Sequence, residues 1–193
     1  MKLLRRSGLK GRLLPREPFS AHTTFKIGGP ARLWAEPRDL DDIKYLLDIS
    51  RSRSLPMFVI GEGSNLLVTD RVLDVMAVSL GGFFQAGQSL QRFILERTQA
   101  GYEGLEFMAG IPGTIGGALR MNAGACASGP WVSDFIEGVR ICDPLGAVRW
   151  IQKKDLGFDY RKSNLKDCII LEAEFRLKRS RDTEASKKRY KYF

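Results

Sequence analysis

Cysteine and histidine are scarce in this 193-residue chain, which holds three cysteines and a single histidine. Cys126, Cys142 and Cys168 form no C-x-x-C pair. A disulfide framework and a zinc site therefore both lack ligands; no metal is expected, and a reducing, cytoplasmic setting fits this usage. Long apolar runs are missing as well. The apolar mid-chain stretch Val75 to Phe84 falls well short of the roughly 20 residues that cross a bilayer. Behind the basic start Met1-Lys-Leu-Leu-Arg-Arg6 comes no apolar segment, so neither a secretory signal nor a membrane partner is expected. Repeats and low-complexity tracts are absent too, which excludes collagen-like, coiled-coil and wholly disordered chains.

What is present is ordinary for a soluble globular protein: 44% hydrophobic and 27% charged residues. The length suits one domain or two small ones, able to bury about 70% of the unfolded surface. The net charge of +9 is unevenly spread. Residues 1–17 carry six Lys/Arg against one acid and residues 176–193 eight against two, leaving 18–175 at −2. Basic tails can bind phosphate backbones, but no recognition motif accompanies them. Solvated tail charge is expected, and no nucleic acid.

Along the chain, residues 1–20 show no period and read as a mobile basic leader. Arg32 to Glu36 is strand-like and stops at Pro37; residues 39–50 place Leu40, Ile43, Leu46 and Leu47 on one helical face behind Asp39, Asp41 and Asp42. Pro56 to Ile60 reads as a buried strand, Leu66–Val68 and Val75–Leu80 as short strands, and 89–99 as a helix. Phe135–Cys142 and Ala147–Ile151 flank the turn Asp143-Pro-Leu-Gly146. From Ile169 to Lys178, apolar residues alternate with mostly charged ones, the period of a strand with one face buried. The class is α+β or mixed α/β in two lobes: a leader over 1–20, a first lobe over 21–81, a second over 82–178 and a basic tail over 179–193.

Two glycine loops carry the chemistry. The run Val59-Ile60-Gly61-Glu62-Gly63-Ser64-Asn65-Leu66 is an apolar strand followed by a turn. It lacks the third glycine of a dinucleotide-binding turn and the Gly-Lys-Ser/Thr of a Walker loop. Its glycines would admit a phosphate close to backbone N–H groups, with Ser64 and Asn65 as added donors; a plain tight turn is the alternative. The second loop, Gly110 to Gly124, packs five glycines and one proline into fifteen residues. Apolar neighbours make it a poor flexible linker. It suits a backbone wrapped around a flat ligand, supplemented by Thr114 and Asn122, with a structural glycine crossing as the alternative.

Four segments in one order carry a family resemblance. They are Thr24-Phe-Lys-Ile-Gly28-Gly29-Pro30-Ala31, the G-x-G-S-N-L-L-V run, G-L-E-F-M-A-G-I-P-G-T-I-G-G-A-L-R-M-N-A-G-A over 104–125, and Tyr160-Arg161-Lys-Ser163. Together, from about His22 to Lys178, the chain resembles the UDP-N-acetylenolpyruvoylglucosamine reductase (UDP-N-acetylmuramate dehydrogenase) family. The resemblance implies an α+β fold of the vanillyl-alcohol-oxidase (PCMH) type, FAD as cofactor between two lobes, NADPH as reductant and a UDP-linked amino-sugar substrate. It places the pyrophosphate at Gly61, Glu62, Gly63, Ser64 and Asn65, with Leu66 as a further cofactor-binding position. Gly110, Ile111, Pro112, Gly113, Thr114, Gly116 and Gly117, then Asn122, Ala123 and Gly124, and Ile169 fall at the remaining flavin positions. Arg161 takes the catalytic role, holding the substrate carboxylate and the enolate-like charge, with Tyr160 and Ser163 as substrate-binding neighbours that orient it.

Two departures from that pattern matter. The family's proton-donating serine lies in a G-S-x-F-K-N-P segment that these 193 residues do not contain, so a separate C-terminal fragment is a candidate partner. About one hairpin is missing where Gly81-Gly82-Phe83-Phe84-Gln85 leads directly into Ala86-Gly87-Gln88, with Gln88 at a usual glycine. A shortened or exposed sheet edge is expected there. His22 reads as a partly exposed structural residue, Glu106 as a loop-positioning or turn-capping acid, and Trp34, Trp131 and Trp150 as core or interface residues. Cys126 falls close to the expected flavin site.

Overall fold

A computed structural model describes residues 8–124 and 128–192. The chain divides into two compact units, 1–84 and 85–193.

In the first unit, the acids before residue 43 start a helix. Asp39 caps α1 (Leu40–Ser52) by accepting the Asp42 N–H at 2.9 Å. The i, i+3, i+4 spacing then buries Ile43, Leu46 and Leu47. The sheet of this unit runs β1-β2-β4-β3, with β1 (Arg12–Pro15), β2 (Ala31–Glu36), β3 (Met57–Ile60) and β4 (Leu73–Ser79). β2, β4 and β3 are parallel, whereas β1 runs antiparallel to β2 with Leu14 opposite Trp34. Phe19, Ala31, Trp34, Ile60 and Ala77 form a core beneath Leu14, Leu66, Val68, Leu73 and Val75.

Three expectations fail in this unit. The leader is not mobile from Lys10 onward. The buried Asp42 carboxylate accepts the N–H groups of Lys10 (2.8 Å), Gly11 (2.9 Å) and Arg38 (2.9 Å), and so pins Lys10 and Gly11 to α1. Leu66–Val68 is not a strand, because Leu66 and Val68 turn into the core outside any ladder. β3 is an edge strand rather than a buried one, with Phe58 40% exposed.

The second unit centres on a three-stranded antiparallel sheet, β10-β6-β7, built from β6 (Ile136–Cys142), β7 (Val148–Gln152) and β10 (Ile169–Phe175). The Asp143–Gly146 turn forms as its composition predicts, its Asp143 carboxylate accepting the N–H groups of Leu145 and Ala147. Around the sheet lie α2 (Leu90–Gln99), α3 (Ile115–Arg120) and α4 (Thr183–Tyr192). Two short ribbons complete the unit: β5 (Tyr102–Glu103) with β11 (Lys178–Arg179), and β8 (Phe158–Asp159) with β9 (Lys162–Ser163). The alternation along β10 is broken by a register shift between Ile170 and Glu172, so Ile169, Ile170 and Leu171 are all buried.

The basic tail folds, although its cations stay mostly exposed to solvent as expected, Arg176, Lys178, Arg181 and Lys188 among them. α4 packs against α2, with Ser186 fully buried, and Arg189 reaches Glu103 (3.0 Å) and Glu106 (3.1 Å). In the shortened 81–88 segment two 3-10 turns replace the missing hairpin. The Gln85 side chain accepts the Ala173 N–H at 2.7 Å, occupying one donor of β10.

Candidate functional site

The G-x-G-S-N turn leaves the end of β3 with Gly61, Glu62 and Asn65 exposed. Gly63 is buried at φ +63°. A Cβ there would lie 2.5 Å from the His22 carbonyl oxygen and 2.8 Å from Thr23 Cα. This glycine therefore serves the chain's own packing, and the close approach it permits is that of residues 22–23. Ser64 is half-buried and Leu66 packs on the core. The neighbouring Thr24–Ala31 motif is bound to the segment just after the turn, Gly29 donating its N–H to the Thr69 carbonyl at 2.8 Å. His22 stacks on Trp34 at 3.8 Å and meets Glu17 at 3.0 Å, the half-buried structural role its context predicts.

The second loop divides in the same manner. Gly113 sits at φ +127°, and its carbonyl accepts the Leu90 N–H at 2.8 Å. A Cβ on Gly116 would meet the Ala86 carbonyl oxygen at 2.9 Å. On Gly117 it would meet only Thr114 Oγ1, at 3.4 Å. Gly110, Pro112 and Gly117 are exposed; Ile111 is half-buried and its N–H bonds Met108. The backbone does not wrap as an open loop throughout. Residues 115–120 form α3, and the Thr114 hydroxyl is spent on its cap, accepting the Gly117 N–H at 3.2 Å.

Beyond α3, Asn122 is 2% exposed at φ +42°. Its side chain works inside the unit: Oδ1 accepts the Ser133 N–H at 3.3 Å and Nδ2 donates to the Asp159 carbonyl at 3.2 Å. Ala123 has both backbone groups engaged, with Ala118 and Val132. Gly124 lies where a Cβ would strike the Trp131 ring at 2.3 Å. Cys126 lies outside the described residues. Ile169 is buried at the start of β10 opposite Cys142, a core position.

Tyr160 and Arg161 are the two-residue turn between β8 and β9. Both are exposed, and Arg161 holds φ +56°, a left-handed conformation that is strained for a side chain of this size. The Arg161 guanidinium carbon stands 5.6 Å from the Tyr160 ring centre, a cation–π pair that orients it. Ser163 does not orient Arg161 directly, since its hydroxyl donates to the Arg120 carbonyl at 2.9 Å. Asp159 closes the hairpin: the Tyr160 N–H, then Lys162, hold its carboxyl below the ordinary aspartate range.

Two residues that sequence reasoning left without a role, or with an open one, are bound to these loops. Arg120 ends α3, is largely buried, and donates from Nη2 to the Cys168 carbonyl at 2.7 Å; burial pulls its pKa down. Burial likewise raises the Cys168 thiol, against an opposing pull from Arg120. A cation inside an otherwise apolar glycine segment was the available signal for Arg120. Glu106 is buried and takes the turn-capping role foreseen for it, accepting the Gly104 N–H at 2.6 Å while pairing with Arg189. Among the described residues there is no cluster able to hold a metal, and no helix is long and apolar enough to cross a membrane.

Known proteins match this arrangement at the level of sequence and of fold. No family model matches the chain. The UDP-N-acetylenolpyruvoylglucosamine reductase of Bacillus pumilus is 38% identical over 193 aligned positions, covering 92% of this chain and 63% of that protein. The crystal structure of UDP-N-acetylenolpyruvylglucosamine reductase from Thermus caldophilus superposes with a TM-score of 0.80 at 31% identity, over 95% of this chain and 68% of that one. Glucooligosaccharide oxidase from Acremonium strictum, whose FAD is doubly linked to that protein, shares the fold alone, with a TM-score of 0.58 at 14% identity over 86% of this chain and 40% of that one. The fold is thus α+β of the vanillyl-alcohol-oxidase (PCMH) type, as the family resemblance implies. The chain spans 63% of the length of the Bacillus pumilus relative. The ordered motifs, the folding of both glycine loops and these matches place it in the UDP-N-acetylenolpyruvoylglucosamine reductase family.

Proposed function

We propose that this chain is the FAD-holding part of a cytoplasmic oxidoreductase that acts on UDP-N-acetylenolpyruvoylglucosamine in cell-wall synthesis, with NADPH as reductant. The observation that carries the reading is the division of labour within each glycine loop. Gly63, Gly113 and Gly116 fasten the loops to their own units, while Gly61, Glu62 and Asn65, and Gly110, Pro112 and Gly117, stay exposed. A loop fixed from behind and exposed in front fits a phosphate-bearing, flat ligand, and costs little reorganisation when one binds. When bound, FAD would supply two-electron hydride chemistry between NADPH and the enolpyruvyl double bond.

The chain's own residues do the rest. Gly61 to Asn65 receive the pyrophosphate, and the 110–117 loop lines the remainder of the cofactor. The Arg161 guanidinium grips the substrate carboxylate through its planar fork and stabilises the charge that develops beside it. Tyr160 keeps that guanidinium extended. Completing the reduction needs one proton at the neighbouring carbon. No side chain among the described residues is assigned that role, so the proposal includes a partner segment of G-S-x-F-K-N-P type supplied by a separate C-terminal fragment. A flavin-binding module without reductase activity is the second reading, favoured by the absence of that motif from the 193 residues.

Titration with FAD tests the site. The expected result is quenching and a shifted flavin band, and a chain that leaves free flavin unchanged sinks the reading. Gly117→Ala sharpens the test. Alanine is about 0.5–1 kcal/mol better than glycine within a helix, and the added methyl meets only Thr114 Oγ1 at 3.4 Å. The variant should be as stable as the parent or more so, yet bind FAD about tenfold more weakly.

A further inference from the structure

The hairpin that presents Arg161 has only two residues in each strand, Phe158–Asp159 and Lys162–Ser163. A ribbon this short has no independent stability, and its turn is strained at Arg161. Its position must therefore be imposed from outside. Three bonds do so, all from the C-terminal end of α3 and the residues just after it. Asn122 Nδ2 holds the Asp159 carbonyl before the turn (3.2 Å), and the Arg120 carbonyl receives the Ser163 hydroxyl after it (2.9 Å). Arg120 Nη2 then holds the Cys168 carbonyl, where the returning loop enters β10 (2.7 Å).

Arg120 makes two of these three contacts, one through its backbone and one through its side chain. Its guanidinium is largely buried and forms no ion pair among the described residues. Burying a cation against one carbonyl, with Asp167 near enough to favour its charge but not in an ion pair with it, is an expensive way to fill space. The arrangement fits a tether whose donor reaches across from α3 to the loop. We infer that Arg120 is the positioning residue that fixes the 160–168 segment, and with it the Arg161 side chain, on α3. The part of this inference that concerns Arg161 rests on the substrate-gripping role proposed above.

Hydrogen–deuterium exchange on the ligand-free chain reads the tether directly. In Arg120→Met, amides of residues 160–168 should exchange about tenfold faster, while those of β6 and of the first unit keep their rates. Arg120→Lys, which retains a donor, should recover most of the protection. Unchanged exchange over 160–168 in the Met variant, or an equal rise in β6, overturns the inference. With FAD bound, substrate affinity, followed by perturbation of the flavin band, should fall about tenfold in Arg120→Met with FAD affinity unchanged. Equal substrate affinity would overturn the link to Arg161. A parent chain that takes up no FAD sinks the proposed function, while the exchange experiment still decides the tether.

Discussion

At the scale of single residues, buried polar groups with several partners govern this chain more than isolated contacts do. Asp42 is the strongest case. Its carboxylate accepts three backbone N–H groups, from Lys10, Gly11 and Arg38, at a 2% exposed position. Asp42→Ala would strand those donors and should cost about 2–4 kcal/mol, measured as a lowered midpoint in urea, and should release residues 10–15 to rapid exchange. Asp42→Asn keeps one acceptor oxygen and should cost less. Arg161 behaves differently, because it is exposed and its guanidinium lies over the Tyr160 ring. Arg161→Lys should leave the thermal midpoint and FAD binding unchanged. Without the planar fork it should weaken capture of the enolpyruvyl carboxylate, a loss read as a raised KM or a weaker substrate-induced flavin shift. Loss of FAD binding in that variant would assign Arg161 to the cofactor instead.

At the scale of elements, α1 and α2 were legible because one helical period dominates each, and β6 and β7 because the Asp143–Gly146 turn marks their junction. The elements that escaped are held by partners far away in sequence. β1 has an aperiodic sequence and exists because β2 offers a free edge and Asp42 offers an acceptor. α4 looks like a charged tail, yet its Arg189 meets a carboxylate 83 residues earlier. The site was legible as loops but not as chemistry. Glycine spacing located both turns, whereas which glycines face outward depended on packing by His22, Thr23 and Ala86. Asn122 and Thr114 looked like ligand donors, and both proved occupied by their own unit. The α4 contact yields a double-mutant prediction. Arg189→Ala should lower the thermal midpoint by leaving the buried Glu106 without its cation. Adding Glu106→Gln, which removes the charge but keeps an acceptor for Gly104, should restore part of the loss. Additive losses would show that the pair does not couple.

At the scale of the whole molecule, the chain divides between Phe84 and Gln85, inside the shortened 81–88 segment, and each unit carries one glycine loop. The proposed function makes the 193 residues a flavin holder with Arg161 but without an assigned proton donor. Reduction of the flavin by NADPH asks for contact and little else, whereas reduction of the enolpyruvyl group also needs an acid and exclusion of water. The chain by itself should therefore consume NADPH slowly in air and form little or no muramate. Anaerobic turnover of the enolpyruvyl substrate near 10 s⁻¹, roughly the median for enzymes, would overturn this and locate an acid within these residues. The distance between Glu106 and Arg189 also bears on how the protein is made. Polypeptide emerges from the ribosome at about 5–20 residues per second. The first unit is complete in sequence at residue 84, but Glu106 is synthesised 83 residues before its guanidinium. For about 4 to 17 s at that rate, the nascent second unit holds an acidic side chain that has a place in the interior and no cation to meet it. Closure of that unit is thus timed by the synthesis of α4.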